Sequence, residues 1–534
     1  MKKVAVQFLI VLIAKISFAQ YKKPNIIWIT CEDMSYHIGD FGDKVVNTPN
    51  LNQLASEGTK YTQVYSTAGV CAPSRCAIAT GMYQTSAGGH NMRTQLDKEQ
   101  QRITGLPSYS AVLPTGVKPY PLVLRENGYY TTNNVKEDYQ FARTAAMWDE
   151  NSNKAHWRNR KDKNQPFFAI FNLVVTHESQ VWMRDKEPLT VSPELVEIPP
   201  YLPDNPVVRK DFARFMSNVE VMDKQVGEII AQLKEDGLYE DTYIFFFPDH
   251  GDGLPFVKRE VYHRGLKVPM IIKFPKKDNA GETDNQLISF VDFAPTLFSL
   301  AQIPIPTFMQ GQAFLGKYKA RQPRKYIYGA RDRMDTEYDR VRTVSDGRFQ
   351  YMKNYNPEKP YYQNITYRLQ QKGMAETLRL KEAGQLKGHE LYWFRESKPE
   401  EELFDTQTDP DEFVNLADDP AYKAKLNELR EELKDWEIRY KDLGAIPEKQ
   451  LLNDWWQGKR EPPVTAPPTL VLKNNQARLY SETEGALLAY KMEGSATWLP
   501  YTKSFRLNKG EKIQVIAERI GYKPSAIVEL GNER

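Results

Sequence analysis

The sequence predicts an α/β protein: a large mixed, mostly parallel sheet between helices, then a smaller C-terminal α+β subdomain and a small appended β-sandwich module. Three observations predict it. The runs NIIWITC, PFFAIFNLVV and TYIFFF are short, apolar and rich in β-branched or aromatic residues, and they do not alternate with polar residues. Strands buried on both faces read this way. The runs also alternate with helix-patterned segments, which places helices over both faces of a sheet. Finally, beyond a Pro-rich stretch the pattern switches to short alternating strands.

Composition agrees. The 534 residues are 41% hydrophobic and 26% charged. That is a globular balance, which excludes disorder, collagen-like repeats and coiled-coil arrays as the main architecture.

In chain order, Lys2 and Lys3 precede an apolar run over residues 4–16, and Ser17 and Ala19 put small residues at −3 and −1. This is the pattern of a secretory signal peptide (residues 1–19) cleaved after Ala19. The expected location is periplasmic or secreted. The run is too short for a comfortable membrane span, so no membrane insertion is expected after cleavage. Loss of Lys2, Lys3 and Lys15 takes the formal net charge from +3 to neutrality, so nucleic acid is not an expected partner. Three cysteines, Cys31, Cys71 and Cys76, do not make a disulfide framework.

Residues 25–31 read as a buried strand, 48–58 as a helix opened by Thr-Pro and closed by Gly, and 61–66 as a strand. A short helix (121–128), strands at 129–135 and 166–175, a helix at 211–236, and strands at 242–247 and 268–274 follow. Residues 20–340 are the expected catalytic N-terminal subdomain and 341–457 a more polar C-terminal subdomain with a charged helix at 421–443. Residues 458–469 (GKREPPVTAPPT) are the expected linker, and 470–534 the β-sandwich module with strands in ALLAYKM, SFRL, KIQVIAERI and AIVEL.

Four segments distant in sequence carry reactive groups. Glu32 and Asp33 follow a buried strand; adjacent carboxylates there repel unless a cation neutralises them, and calcium favours such oxygens. Cys71-Ala72-Pro73-Ser74-Arg75 opens a helix, where Pro suits the first turn and an anionic group is favoured. Asp249 and His250 follow the TYIFFFP run, and Lys258 lies in PFVKREVYHRG. Taken singly, an acidic turn, a buried structural cysteine, a helix cap and a solvated lysine explain them equally well.

Together they resemble the type I, formylglycine-dependent sulfatases of the alkaline-phosphatase superfamily. C-x-P-S-R followed by Thr80-Gly81 is that family's signature. NIIWITCEDMS, TPNLNQLASEGTKYTQVYS, PDHG and EELFDTQTDPDEFVNLA resemble further family segments, so the resemblance covers about residues 24–445. It implies that a maturase converts Cys71 to formylglycine (3-oxoalanine), whose hydrate attacks sulfur. It implies that Arg75 holds the hydrate, and that Glu32, Asp33, Asp249 and His250, with the modified Cys71, bind one Ca²⁺. Lys136 and Lys258 would clamp the sulfate. His177, in FNLVVTHESQ, would protonate the leaving oxygen. The sequence departs from the family twice. Glu32 stands where an Asp is usual, and Asp138 falls where a His usually assists breakdown of the intermediate, so a carboxylate base is expected there.

His90 and Arg93 in GGHNMR, and Arg331 and Arg333 in ARDRMD, are candidate substrate-binding residues, because paired Arg side chains suit carboxylate or sulfate. A surface loop and a salt-bridged cluster are the alternative readings. THESQ, GGHNMR and RDRMD resemble bacterial polysaccharide sulfatases. The implied substrate is a sulfated polysaccharide or its oligosaccharides, uronate-containing ones such as ulvan and heparan-type chains included. Two alternatives stand beside it: a phosphoryl or phosphonate ester hydrolase of the same superfamily, and a non-catalytic glycan-binding protein.

Overall fold

A computed structural model describes residues 23–532; the expected signal peptide lies outside the described residues. A nine-stranded sheet organises the first unit. Its strands are β1 (Asn25–Cys31), β2 (Thr59–Tyr65), β3 (Tyr130–Asn134), β4 (Glu150–Asn151), β5 (Phe167–Leu173), β6 (Thr242–Pro248), β7 (Lys267–Lys273), β8 (Glu282–Asp284) and β9 (Ile288–Ser289). Their order is β4-β3-β5-β1-β6-β7-β2-β8, with β9 also on β2. Only β7 runs against the others.

All seven residues of β1 are buried. Ile27 and Ile29 face one core, under the 30-residue helix Pro206–Glu235, and Ile26 and Trp28 face the other. That second core holds Tyr120, Phe168, Phe247 and Phe293 around the Trp28 ring. Each large apolar side chain so buried contributes about 1.5–3 kcal/mol, and the two-sided burial explains why these strands lack polar alternation. The long helix starts where Asn205 accepts the Val207 and Val208 N–H groups, as a capping residue does.

The second unit is an antiparallel sheet of β10 (Ile327–Arg331), β11 (Val341–Ser345), β12 (Phe349–Asn354) and β13 (Glu401–Asp405). The helix Lys423–Tyr440 lies on it through Leu426, Leu429, Leu433 and Trp436, with Trp436 stacked on Tyr328 at 5.2 Å. Because β10 pairs with β11, the boundary expected at residue 340 falls inside this sheet, and the second unit begins earlier. The short strand IYGAR gave no apolar run to mark it.

The C-terminal strands are β14 (Thr469–Lys473), β15 (Gln476–Tyr480), β16 (Leu487–Met492), β17 (Leu499–Pro500), β18 (Phe505–Arg506), β19 (Lys512–Glu518) and β20 (Val528–Gly531). They form a three-stranded and a four-stranded antiparallel sheet. Ala477, Leu479, Ile513 and Val515 pack between them, and Tyr490 stacks on Phe505 at 4.3 Å. The Pro-rich segment 458–469 is held against this sandwich: Val464 bridges Lys523, and the Ala466 N–H donates to Thr483 Oγ1 at 2.8 Å. Cys31, Cys71 and Cys76 are free and buried. Among the described residues no helix is long and apolar enough to cross a membrane.

Candidate active site

Four adjacent parallel strands deliver the reactive side chains to one edge of the sheet. The carboxyl end of β3 leads to Lys136 and Asp138, that of β5 to His177 and Glu178, that of β1 to Glu32 and Asp33, and that of β6 to Asp249 and His250. Register sets Cys31 beside both Leu173 and Pro248, so the segments that follow emerge side by side. Open α/β sheets place ligands at this edge.

Cys71 is the first residue of the helix Cys71–Thr80, every residue of which is buried. Pro73 sits in the first turn, where its missing N–H costs nothing. The approach to this helix leaves no room at Gly69, where a Cβ would lie 2.0 Å from the Glu260 carbonyl oxygen. The Arg259 N–H donates to the Gly69 carbonyl at 2.6 Å, which ties the Cys71 loop to the Lys258 segment. Burial pushes the Cys71 thiol up, against the pull of Lys136. An unmodified Cys71 is therefore a thiol and a poor nucleophile.

Around Cys71, five carboxylates interleave with four cations. Arg75 bonds Glu32, Asp249 (3.0 Å) and the Asn172 side chain (2.7 Å). Lys136 bonds the other Glu32 oxygen at 2.6 Å and lies 3.4 Å from Asp138. Lys258 bonds Asp33 at 2.5 Å and lies 3.2 Å from Glu178, which Arg259 grips with two N–H groups. Burial drives the Glu32 carboxyl up, but Arg75 and Lys136 outweigh it and hold it at about 2. Burial opposes ionisation of Asp33 too, yet Lys258, His177 and His250 keep it well below the carboxylate range. Charges this deep are tolerated only when paired.

Two atoms in the cluster make no hydrogen bond among the described residues. Asp33 Oδ1 and His250 Nε2 are fully buried and have no hydrogen-bond partner among the described residues, although they lie only 3.0 Å apart. His250 Nδ1 is 2.8 Å from the Gly251 carbonyl, which commits one ring proton there and turns Nε2 towards the carboxylates, where it holds a second proton unless a cation takes that proton's place. Oxygens of Glu32, Asp33 and Asp249 lie within 4.8 Å of one another, as do ligand atoms of Cys71, Asp249 and His250. Burial lowers the His250 pKa, but Asp249 and Asp33 raise it to about 10. A site that attracts a proton so strongly attracts a cation in its place. Three carboxylates and one imidazole, with orphaned atoms converging, fit a hard divalent ion such as Ca²⁺.

A cavity of about 280 Å³ opens over Cys71, with Lys136, Asp138, His177, Lys258 and Arg93 on its walls. The Ser179 N–H donates to His177 Nδ1 at 3.2 Å, so the ring proton is assigned to Nε2. Burial and Lys258 lower the His177 pKa, with Asp33 and Glu32 opposing them. Arg93 reaches the cavity rim, paired with Asp335 and 5.3 Å from the Tyr367 ring centroid.

The other proposed substrate-binding residues do not reach the cavity. Arg331 gives its N–H groups to Glu260 and Gln363. Arg333 grips Glu448 with two bonds of 2.7 Å and bonds the Met92 carbonyl. His90 is 3% exposed, packed inside the GGHNMR turn. Gly89 of that turn is required by packing, since a Cβ there would lie 2.4 Å from Cys76 Sγ. These groups build the structure behind the site.

The sequence reading missed Glu178 and Arg259, each next to a residue it identified. Asp33, Arg93, Asp138, Gln140 and Arg259 all have left-handed backbone, with φ from 50° to 76°. Such strain gathers at functional sites.

The mostly parallel sheet and the anion-clamping edge define an alkaline-phosphatase-like ester hydrolase. A family model described as Sulfatase matches residues 24–303, and one described as N-sulphoglucosamine sulphohydrolase, C-terminal, matches 251–362. An ulvan-active sulfatase of Formosa agariphila is 45% identical over 95% of this chain and 91% of its own length. Human N-sulphoglucosamine sulphohydrolase is 23% identical over 77% of this chain and 89% of its own. A solved 2-O GAG sulfatase, BT1596, shares the fold with a TM-score of 0.58 at 20% identity, covering 79% of this chain and 93% of that one. The chain belongs to the sulfatase family and is a sulfuric ester hydrolase.

Proposed function

We propose that the protein is an exported sulfatase that removes sulfate from a sulfated polysaccharide or its oligosaccharides, ulvan foremost, with residue 71 matured to formylglycine and Ca²⁺ held by Glu32, Asp33, Asp249 and His250. The observation that carries this is the setting of Cys71. It is buried at a helix start on the cavity floor, its Sγ within 4.8 Å of both a Glu32 oxygen and a His177 ring nitrogen. A protonated thiol there does no work unless it is modified.

The aldehyde hydrate would supply the attacking oxygen, and a Ca²⁺ held by these carboxylates and His250 would supply Lewis-acid withdrawal of charge from the sulfate. The chain's own side chains do the rest. Lys136 and Lys258, both on the cavity wall with Cys71, neutralise the sulfate oxygens as charge develops. Arg75 fixes Glu32 and Asp249, and Asn172 fixes Arg75. His177 offers its Nε2 proton to the departing sugar oxygen. Asp138, beside Lys136, is the carboxylate placed to accept a proton in the second half of the cycle. Arg93, at the rim and with only its Nε committed to Asp335, suits a carboxylate of the substrate, which favours a uronate-bearing glycan. The 45% identity to an ulvan-active sulfatase points the same way.

The test is free sulfate released from ulvan, heparan, chondroitin, carrageenan and fucoidan fragments by protein co-expressed with a maturase. Ulvan release that Cys71→Ala abolishes supports the reading. Release of phosphate from a phosphonate or phosphate ester in preference to sulfate overturns it.

A further inference from the structure

The cavity over Cys71, at about 280 Å³, falls near the small end of the roughly 300–1,000 Å³ that ligand pockets span. It admits the sulfate-bearing unit and little more, so an attached saccharide chain must run out over a neighbouring surface. An open groove of about 470 Å³ adjoins the cavity and shares Thr94, Gln95, Asp138 and Gln140 with it. Beyond that divide the groove is lined by Ser110, Glu137, Tyr139 and residues 141–143. Arg143 is 48% exposed there, and only its Nη1 is engaged, with Glu137 at 3.2 Å. The rings of Tyr139 and Phe141 lie beneath, buried and 5.6 Å apart. A half-free guanidinium, side-chain amides and hydroxyls over an aromatic base suit the hydroxyl and ring oxygens of a sugar.

The groove wall is built to hold its shape. The Ala111 N–H donates to the Gln140 carbonyl and the Ala142 N–H to Ser110 Oγ, both at 2.8 Å. From behind, the C-terminal sandwich braces these same segments. Glu518 accepts the Ala145 N–H at 2.7 Å, Arg519 donates to the Leu113 carbonyl, and Leu122 and Ala146 pack on Ala489 and Ile516. Gly521 meets the wall so closely that a Cβ would lie 2.5 Å from the Val112 side chain.

We infer that this groove is the subsite for the sugar unit next to the sulfated one, that Arg143 binds that unit, and that the C-terminal sandwich holds the groove wall in place. The inference rests on the polysaccharide reading above. It is tested by kcat/KM on ulvan oligosaccharides and on an aryl sulfate, measured in parallel on the full-length matured enzyme. Arg143→Ala lowers the oligosaccharide-to-aryl ratio about tenfold, the worth of one charge-assisted hydrogen bond. Ala142→Trp, at an exposed position on the groove wall, fills the groove and lowers the ratio further. Glu518→Ala lowers it less. A ratio unchanged in both groove variants, or equal losses on both substrates, overturns the inference while leaving the polysaccharide reading intact. A wild-type enzyme that hydrolyses the aryl ester but no oligosaccharide overturns both.

Discussion

Glu32, Asp33, Asp249 and His250 leave the ends of two adjacent parallel strands, whereas Arg93, Gln140 and Arg143 sit on loops at the cavity rim and in the groove. The first group is fixed by the sheet register and by buried ion pairs on all sides. The second group is held by its backbone, left-handed at Arg93 and Gln140, and by a β-sandwich, distant in sequence, pressed against the groove wall. Chemistry that tolerates no displacement is placed on rigid elements. Recognition is placed on segments that can vary without disturbing it.

The comparison breaks most sharply at Arg75. Arg75→Ala leaves Glu32 and Asp249 buried without their main partner and costs about 3–5 kcal/mol of stability. Denaturant unfolding should show this directly, together with loss of activity. If Arg75→Ala unfolds like the wild type, the floor is not the rigid half of the site.

His177 separates chemistry from stability. His177→Gln lowers kcat on a sugar sulfate roughly 100- to 10,000-fold and leaves the melting temperature almost unchanged. The loss is smaller on an aryl sulfate, whose leaving oxygen needs less protonation. Equal losses on the two substrates would remove His177 from proton transfer.

Outside the Cys71 cavity, His37 lies between Asp43 (2.8 Å) and Asp252 (3.0 Å). Burial lowers its pKa, but the two carboxylates raise it to about 10. The unfolded value is near 6.5, so this stabilisation is complete below pH 6.5 and is lost as pH rises towards 10. Melting temperatures across that window should fall more steeply for the wild type than for His37→Gln; parallel curves would contradict the assignment.

The smallest effect belongs to the wall. Arg143→Ala shifts stability by under about 0.5 kcal/mol, as exposed substitutions do, and is visible only in substrate preference.

Much of the floor was legible in the sequence, because a strand buried on both faces appears as an apolar run and the residue after it lies at the sheet edge. NIIWITC followed by Glu-Asp, and TYIFFFP followed by Asp-His, are read directly. The strands of the antiparallel sheet were not, since a strand such as VRTVS, buried along its whole length, carries polar residues that read as exposed: Arg342 is fully enclosed between Asp332 and Asp442. The same blindness to distant partners misassigned Arg331 and Arg333. Two arginines in ARDRMD read as anion receptors, and nothing local shows that Gln363 and Glu448 occupy them. Glu178 and Arg259 escaped for the converse reason: each is an ordinary charged residue until the fold sets one against the other and both beside Lys258.

The proposed chemistry turns on residue 71 acting as a modified nucleophile on a sulfate ester. The most direct measurement is the mass of the peptide bearing residue 71, taken on the same maturase-treated samples whose sulfate release from ulvan oligosaccharides is measured. The account predicts an aldehyde at residue 71 and sulfate release proportional to the fraction converted. Sulfate release from protein that carries only the unmodified thiol would contradict it.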